Sequence, residues 1–238
     1  MRKKIVNWIR KQLQSSGAKG IVLGLSGGVD SCVAAALTKQ ALGKTRLLAL
    51  ILPIHSQAQD LKDSRLAAKK LGIKTRLVDL SGIYDSLLKI LPVAGRVARA
   101  NLKPRLRMLV LYYYANKLNY LVCGTGNKSE LMVGYFTKHG DGAVDILPLG
   151  DLLKGEVIEF AKDLGVPEQI ITKPPTAGLW PGQTDEGEMG LFYPELDDIL
   201  ERREKSRKQV LPKDKIVKVR GMIARSAHKR AKPPVCFI

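Results

Sequence analysis

Four short apolar runs do most to limit the folds open to this chain: "GIVLGL" (20–25), "RLLALILP" (46–53), "TRLVDL" (75–80) and "YLVCGT" (120–125). None alternates cleanly between apolar and polar, so each reads as a strand covered on both faces. Helical stretches lie between them: Ser31–Leu42, Ala58–Leu71 and, with an interruption, Tyr84–Leu118. Strands alternating with helices pair in parallel through right-handed crossovers. The pattern therefore predicts an α/β fold, a doubly wound parallel sheet. Pro104 suits the first turn of a fresh helix carrying "RLRMLVLYYYANKL". At the start of the chain, Ile5, Trp8, Ile9 and Leu13 share one helical face, which predicts an amphipathic helix rather than a secretory signal.

Beyond Thr125 the pattern changes to a glycine- and charge-rich segment. A helix follows near Leu152–Leu164, with Leu153, Val157, Phe160 and Leu164 on one face. Residues 169–190, "QIITKPPTAGLWPGQTDEGEMG", show no period, and loops of that length commonly serve as lids or binding loops. Two helices, Pro194–Lys208 and Lys213–Lys229, close the pattern. A chain of 238 residues that is 45% hydrophobic is sized for one domain, 1–238, with 212–238 as a basic C-terminal helix and tail. No run of 18 apolar residues suggests a membrane span. Cys32, Cys123 and Cys236 form no C-x-x-C, so a reduced, cytoplasmic protein without a zinc knuckle is expected.

The formal net charge is +18, and residues 201–238 carry 13 Lys/Arg against 3 Asp/Glu. Nucleic-acid binding, recognition of a phosphorylated small molecule and plain solvated charge all remain open. Aromatic residues do not interleave with the basic tail before Phe237, which weakens a base-stacking platform.

"GLSGGVDS" (Gly24–Ser31) follows the first strand and opens the next helix. Ligands of open α/β sheets bind at such carboxyl ends of strands. Glycines let backbone approach a ligand closely, and successive N–H groups at a helix N-terminus form an anion nest. Ser26 and Ser31 add hydroxyls. A tight turn with Asp30 as a helix cap is the plain alternative. A Walker A loop fails on spacing: before Gly43-Lys44-Thr45 the first glycine position holds Thr38.

Ser26-Gly27-Gly28-Val29-Asp30-Ser31 resembles the pyrophosphate-loop signature of the ATP pyrophosphatase superfamily, whose members cleave ATP between the α- and β-phosphates. Downstream, "NLKPRLRM" (101–108), "GTGNKSELMVGYFTKHGDGAVDILPLGDLLKGEV" (124–157), "KPPTAGLWPGQTDEGEMG" (173–190) and "AHKR" (227–230) are similar, in order, to the NAD synthetase family. With no amidohydrolase segment, the chain resembles the short, ammonia-dependent type, a carbon–nitrogen ligase. The resemblance implies ATP-dependent amidation of deamido-NAD to NAD, with AMP and pyrophosphate released through an adenylated carboxylate. It implies ATP contacts by Gly24, Leu25, Ser26, Gly27, Gly28, Val29, Asp30, Ser31, Thr125, Lys154 and Thr176. Asp30 and Glu130 would ligate Mg²⁺, and Lys154 would face departing phosphate charge, making these three the catalytic set. Arg105, Lys138, Asp145, His228 and Lys229 would bind deamido-NAD. It further implies a homodimer, a mobile lid at 169–190 and no nucleic-acid or membrane partner. Two departures stand out: Pro104 before Arg105, and Thr176 where serine is common.

The plain readings of single residues differ. Glu130 alone is an exposed first-turn charge, Lys154 a solvated lysine opposed by the helix dipole, Lys138–Asp145 a loop ion pair, and His228-Lys229 a favourable cation pair ending a helix. Two rival functions follow from the same loop: a tRNA-modifying member of the superfamily, and an ATP sensor without turnover.

Overall fold

The computed structural model describes residues 1–236, so Phe237 lies outside the described residues. Helix α1 (Arg2–Ser16) leads into β1 (Gly20–Gly24), α2 (Val29–Leu42), β2 (Leu47–Ile51), α3 (Ala58–Leu71) and β3 (Thr75–Leu77). Helices α4 (Ser81–Ile90), α5 (Arg96–Ala100) and α6 (Leu102–Leu118) carry the chain back to β4 (Tyr120–Cys123). Then come α7 (Lys128–Val133), α8 (Lys154–Asp163), α9 (Glu168–Ile171), α10 (Asp185–Met189), α11 (Tyr193–Glu204), α12 (Lys213–Arg225) and α13 (Ala227–Arg230).

The sheet has the order β3-β2-β1-β4, every pair parallel, with Val22 opposite both Leu48 and Val122. The predicted doubly wound α/β sheet is therefore present, and the reason is visible in β1. Ile21 and Leu23 point into a core with Ile9, Leu13, Cys32, Leu37 and Val157, from α1, α2 and α8. Val22, between them, points to the other face, into a core with Tyr84 and Ala115 of α4 and α6. A strand buried on both faces cannot alternate with polar residues, hence the continuous apolar runs. Leu37 is fully buried, which contributes about 2 kcal/mol by area removed from water. Strand order reverses between β1 and β4, and a crevice opens at that switch point, at the strands' carboxyl ends.

Several local expectations change. In α1 the buried stripe is Val6–Ile9–Leu13, and Trp8 lies at its margin, 38% exposed. All three residues of β3 are exposed, because it is the edge strand and pairs only with β2. Its run continues as a loop that still bonds to the sheet, with Val78 N donating to Ile51 O. The stretch 169–190 contains α10, capped by the Thr184 hydroxyl, which accepts from Gly187 N. A helix of one turn is too short to show a period. The last predicted helix is interrupted at Ser226, whose hydroxyl bonds back to Met222 O, so His228 and Lys229 belong to the separate α13. Pro104 does fall in the first turn of α6, where a missing N–H has no helical partner to lose. The three cysteines are free thiols, and burial pushes Cys32 and Cys123 up to about 12. Among the described residues, no helix is long and apolar enough to cross a membrane.

Candidate active site

The glycine loop occupies the crevice as the sequence predicts. Gly28 is the N-cap of α2 in extended conformation, and no side chain caps that helix. Asp30 is therefore not a cap, and its carboxylate is free to reach across the sheet. Gly27 has φ 83°, and a Cβ there would stand 2.7 Å from Asp60 O and 3.0 Å from Ser64 N of α3. The serines close the loop on itself: Ser31 Oγ donates to Gly28 O at 2.8 Å and accepts from Ser26 N at 3.2 Å. Gly27→Ala is expected to cost roughly 2 kcal/mol or more, combining left-handed strain with overlap on α3 backbone, and to weaken ATP binding. Urea unfolding and an ATP titration on the same variant check both.

Two helix starts face this loop. In α7, Asn127 and Glu130 form a reciprocal capping box: Glu130 N donates to Asn127 Oδ1 at 3.0 Å, and Asn127 N to Glu130 Oε2 at 3.2 Å. Glu130 is thus a half-buried capping group, not an exposed charge, and its other oxygen, Oε1, accepts from Tyr193 OH at 3.5 Å. Lys154 opens α8 and is only 2% exposed. Its Nζ donates to Asp30 Oδ2 at 2.5 Å and lies 3.7 Å from Glu130 Oε1. Asn127 Nδ2 donates to Asp30 Oδ1 at 2.9 Å, which fixes that carboxylate between two helices. The helix-dipole conflict at Lys154 is answered from α11: Asp197 accepts Gly155 N at 2.9 Å and the Ser129 hydroxyl at 2.5 Å, supplying negative charge at the N-terminus of α8.

Acids outnumber the cation here. Asp185, from α10, is buried beside Lys154; Tyr193 OH donates to its Oδ2 at 3.1 Å, and its Oδ1 has no partner. Burial, with Asp30's charge beside it, pushes the Glu130 carboxyl up to about 8. Burial also raises Asp185, while Lys154's charge acts against that rise. Burial opposes the Lys154 ammonium, but Asp30 and Glu130 outweigh it and hold the group above the ordinary lysine range. Three carboxyl groups around one ammonium can take more positive charge in exchange for the Glu130 proton, and hard oxygen donors suit Mg²⁺. Among the described residues, no three His, Cys, Asp or Glu side chains could hold a metal unaided, so phosphate or water oxygens would have to complete its shell.

The crevice is a cavity of about 480 Å³. Gly24, Leu25, Ser26, Gly28, Val29, Asp30, Ser31, Thr125, Glu130, Lys154 and Thr176 all line it, while Gly27 turns away to α3. The second predicted set is less united. Lys229 lines the cavity, its Nζ donating to Gly134 O at 2.7 Å and Phe136 O at 2.8 Å. Arg105 donates to Lys138 O at 3.3 Å and Lys138 to His228 O at 2.8 Å, so these three form a chain that does not line the cavity wall. Asp145 takes part in neither group, nor in a loop ion pair with Lys138. It accepts Val122 N at 2.7 Å and the Tyr112 hydroxyl at 3.0 Å. Burial and the neighbouring Asp145 charge push the Tyr112 phenol up to about 12.

Sequence reasoning missed Asp185, Tyr193 and Asp197, and also the latch on 169–190. There Lys173 donates to Asp60 Oδ1 at 2.7 Å and Asp63 Oδ2 at 2.8 Å, while Lys103 donates to Leu179 O at 2.8 Å. Only Asn127 had a local signal, since N-x-x-E before an apolar run marks a capping box.

A glycine-serine loop opposite a buried lysine and paired acids, at the switch point of a parallel sheet, defines a nucleotide-binding α/β enzyme of the pyrophosphate-loop class. The chain belongs to the NAD synthase family, whose model matches residues 1–233. It is 51% identical over 237 residues to the NH3-dependent NAD synthetase of Archaeoglobus fulgidus, covering 99% of this chain and 95% of that protein. Among solved structures it is similar to the NMN synthetase of Francisella tularensis, with a TM-score of 0.92, 39% identity and coverage of 100% and 97% of the two chains. It is also similar to the NH3-dependent NAD synthetase of Campylobacter jejuni in complex with nitrate ion, with a TM-score of 0.86, 30% identity and coverage of 99% and 97%.

Proposed function

We propose that this cavity makes NAD from deamido-NAD, ATP and ammonia by adenylating the nicotinate carboxylate. One observation carries the reading: Asp30, Glu130 and Lys154 meet at the glycine loop inside one cavity. A carboxylate oxygen attacks the α-phosphorus of ATP, and pyrophosphate departs with the electrons of the α–β bridge. Ammonia then attacks the activated carbonyl; AMP leaves and a proton is released. The loop N–H groups and Lys154 take the phosphate charge, and positioning with charge neutralisation does most of the work. Asp30 and Glu130 would hold Mg²⁺, which when bound neutralises phosphate oxygens.

Arg105 and Lys138 lie with His228 beside the cavity's Lys229; the two offer cations and His228 a ring nitrogen to the acidic dinucleotide, with Asp145 near the Tyr112 side. Thr125 and Thr176 serve ATP. The segment 169–190, latched by Lys173 and Lys103, acts as the lid that keeps water from the adenylate. Residues 1–238 act as one domain. Leu109 and Tyr113, one turn apart on α6 and both about 60% exposed, support a homodimer contact there. Free thiols suit a reduced cytoplasm.

The test is a coupled assay with ATP, Mg²⁺, deamido-NAD and ammonium. NAD and AMP are expected in equal amounts, with little product when glutamine replaces ammonium. No NAD or AMP would defeat the reading. The likeness to an NMN synthetase supports a second reading, amidation of nicotinate mononucleotide. Running that substrate in parallel and comparing kcat/KM decides between them.

A further inference from the structure

We propose that the crevice between α11 and α12 is a second anion site, one that takes a phosphorylated small molecule. It is a separate cavity of about 260 Å³ that shares no lining residue with the catalytic one. Arg202, Arg203, Arg207 and Arg220 line it, and no acid does. Arg202 is held by Asp198 at 2.7 Å. Among the described residues, Arg203, Arg207 and Arg220 have no carboxylate within 4.0 Å. Cations gathered this way repel one another until an anion arrives, and guanidinium forks match phosphate oxygens.

A second, independent feature points to a ligand with a donor group. Gln209 also lines the crevice; its Nε2 donates to Ile199 O at 3.2 Å, while its shielded Oε1 has no partner. Phosphate has no use for a bare acceptor, but a sugar hydroxyl beside the phosphate does. The turn that carries these groups is set by Ser206 at φ 51°, with Arg207 N donating to Arg202 O at 2.7 Å. The remaining lining includes Ile199, Ile216, Val219 and Ile223, with no aromatic ring on which a base could stack. A small, aliphatic-sided crevice without a stacking ring favours a compact sugar phosphate over a nucleic-acid strand. This gives part of the C-terminal basic excess a chemical purpose.

Ribose 5-phosphate is the probe, titrated calorimetrically into the full chain after the catalytic cavity is saturated with α,β-methylene-ATP and deamido-NAD. One site per chain is expected, weakened by salt. The Arg207→Ala/Arg220→Ala variant should lose about 10- to 100-fold in affinity per arginine, and Gln209→Leu a smaller factor. ATP affinity and the thermal midpoint should stay as in the parent chain, since the three unpaired arginines are exposed. Absence of saturable binding would overturn the proposal, as would binding that survives the double substitution. Retention of an RNA oligonucleotide that ribose 5-phosphate does not displace would overturn it too.

Discussion

Asp30→Asn should abolish NAD formation, by on the order of a thousandfold or more in kcat, while the fold survives. The substitution keeps shape and removes charge. α2 starts at Gly28 with no side-chain cap, so the helix does not depend on this carboxylate. What is lost is the anion that faces Lys154 at 2.5 Å and that, with Glu130, would hold Mg²⁺. Circular dichroism should match the parent chain, and the thermal midpoint should fall by less than in Lys154→Met, since Glu130 and Asp185 still face the buried Lys154. Full activity in this variant would sink the assignment of Asp30. The variant also alters its neighbour: Asp30's charge helps to raise Glu130, so the Glu130 carboxyl should titrate lower once it is gone.

Lys154→Met should be as inactive and also less stable. It strips the cation from a cluster made of the buried Asp185 and the half-buried Asp30 and Glu130. Leaving buried charge unpaired costs about 3–5 kcal/mol, which in a chain this size lowers the melting temperature by roughly 6–20 °C. The loss should be greatest at high pH and shrink as the acids take up protons. The parent chain should show a related slope. Glu130 sits at about 8 in the folded state against an ordinary 4.5, so between those values the folded chain holds a proton that the unfolded chain has released. Stability therefore falls as pH rises through that window; the penalty is absent below it and complete above. Melting temperatures recorded across the window, for the parent and for Glu130→Gln, check the sign. Glu130→Gln should flatten the slope, and so should added Mg²⁺ if the acid pair binds it. A slope unchanged by Glu130→Gln would remove Glu130 as its source.

Local reading went furthest where sequence-near residues act together. The loop from Gly24 to Ser31 was legible because a strand, two glycines and a helix start occupy eight consecutive positions. Lys154 was legible as a misfit, a cation in the first turn of a helix. Its partners were not, since Asp30 is 124 positions away and Asp197 belongs to α11. Asp145 shows the opposite outcome: a residue matched to a ligand role is engaged by Val122 and Tyr112 in this structure. β3 misled because its composition matches a central strand, and nothing local says that only one neighbour pairs with it.

The sequence by itself determined the parallel sheet, the glycine loop after β1 and, by resemblance of several segments, the family. The first two follow from periodicity and from a short motif, and such signals depend on neighbours along the chain. The tertiary structure decided that three acids surround one lysine, that Asp185 and Tyr193 join them, that Lys173 ties the 169–190 segment to α3, and that arginines from α11 and α12 line one crevice. Burial and charge act through space, so a group's protonation and partners are set by which helix ends the fold brings together, not by its place in the chain.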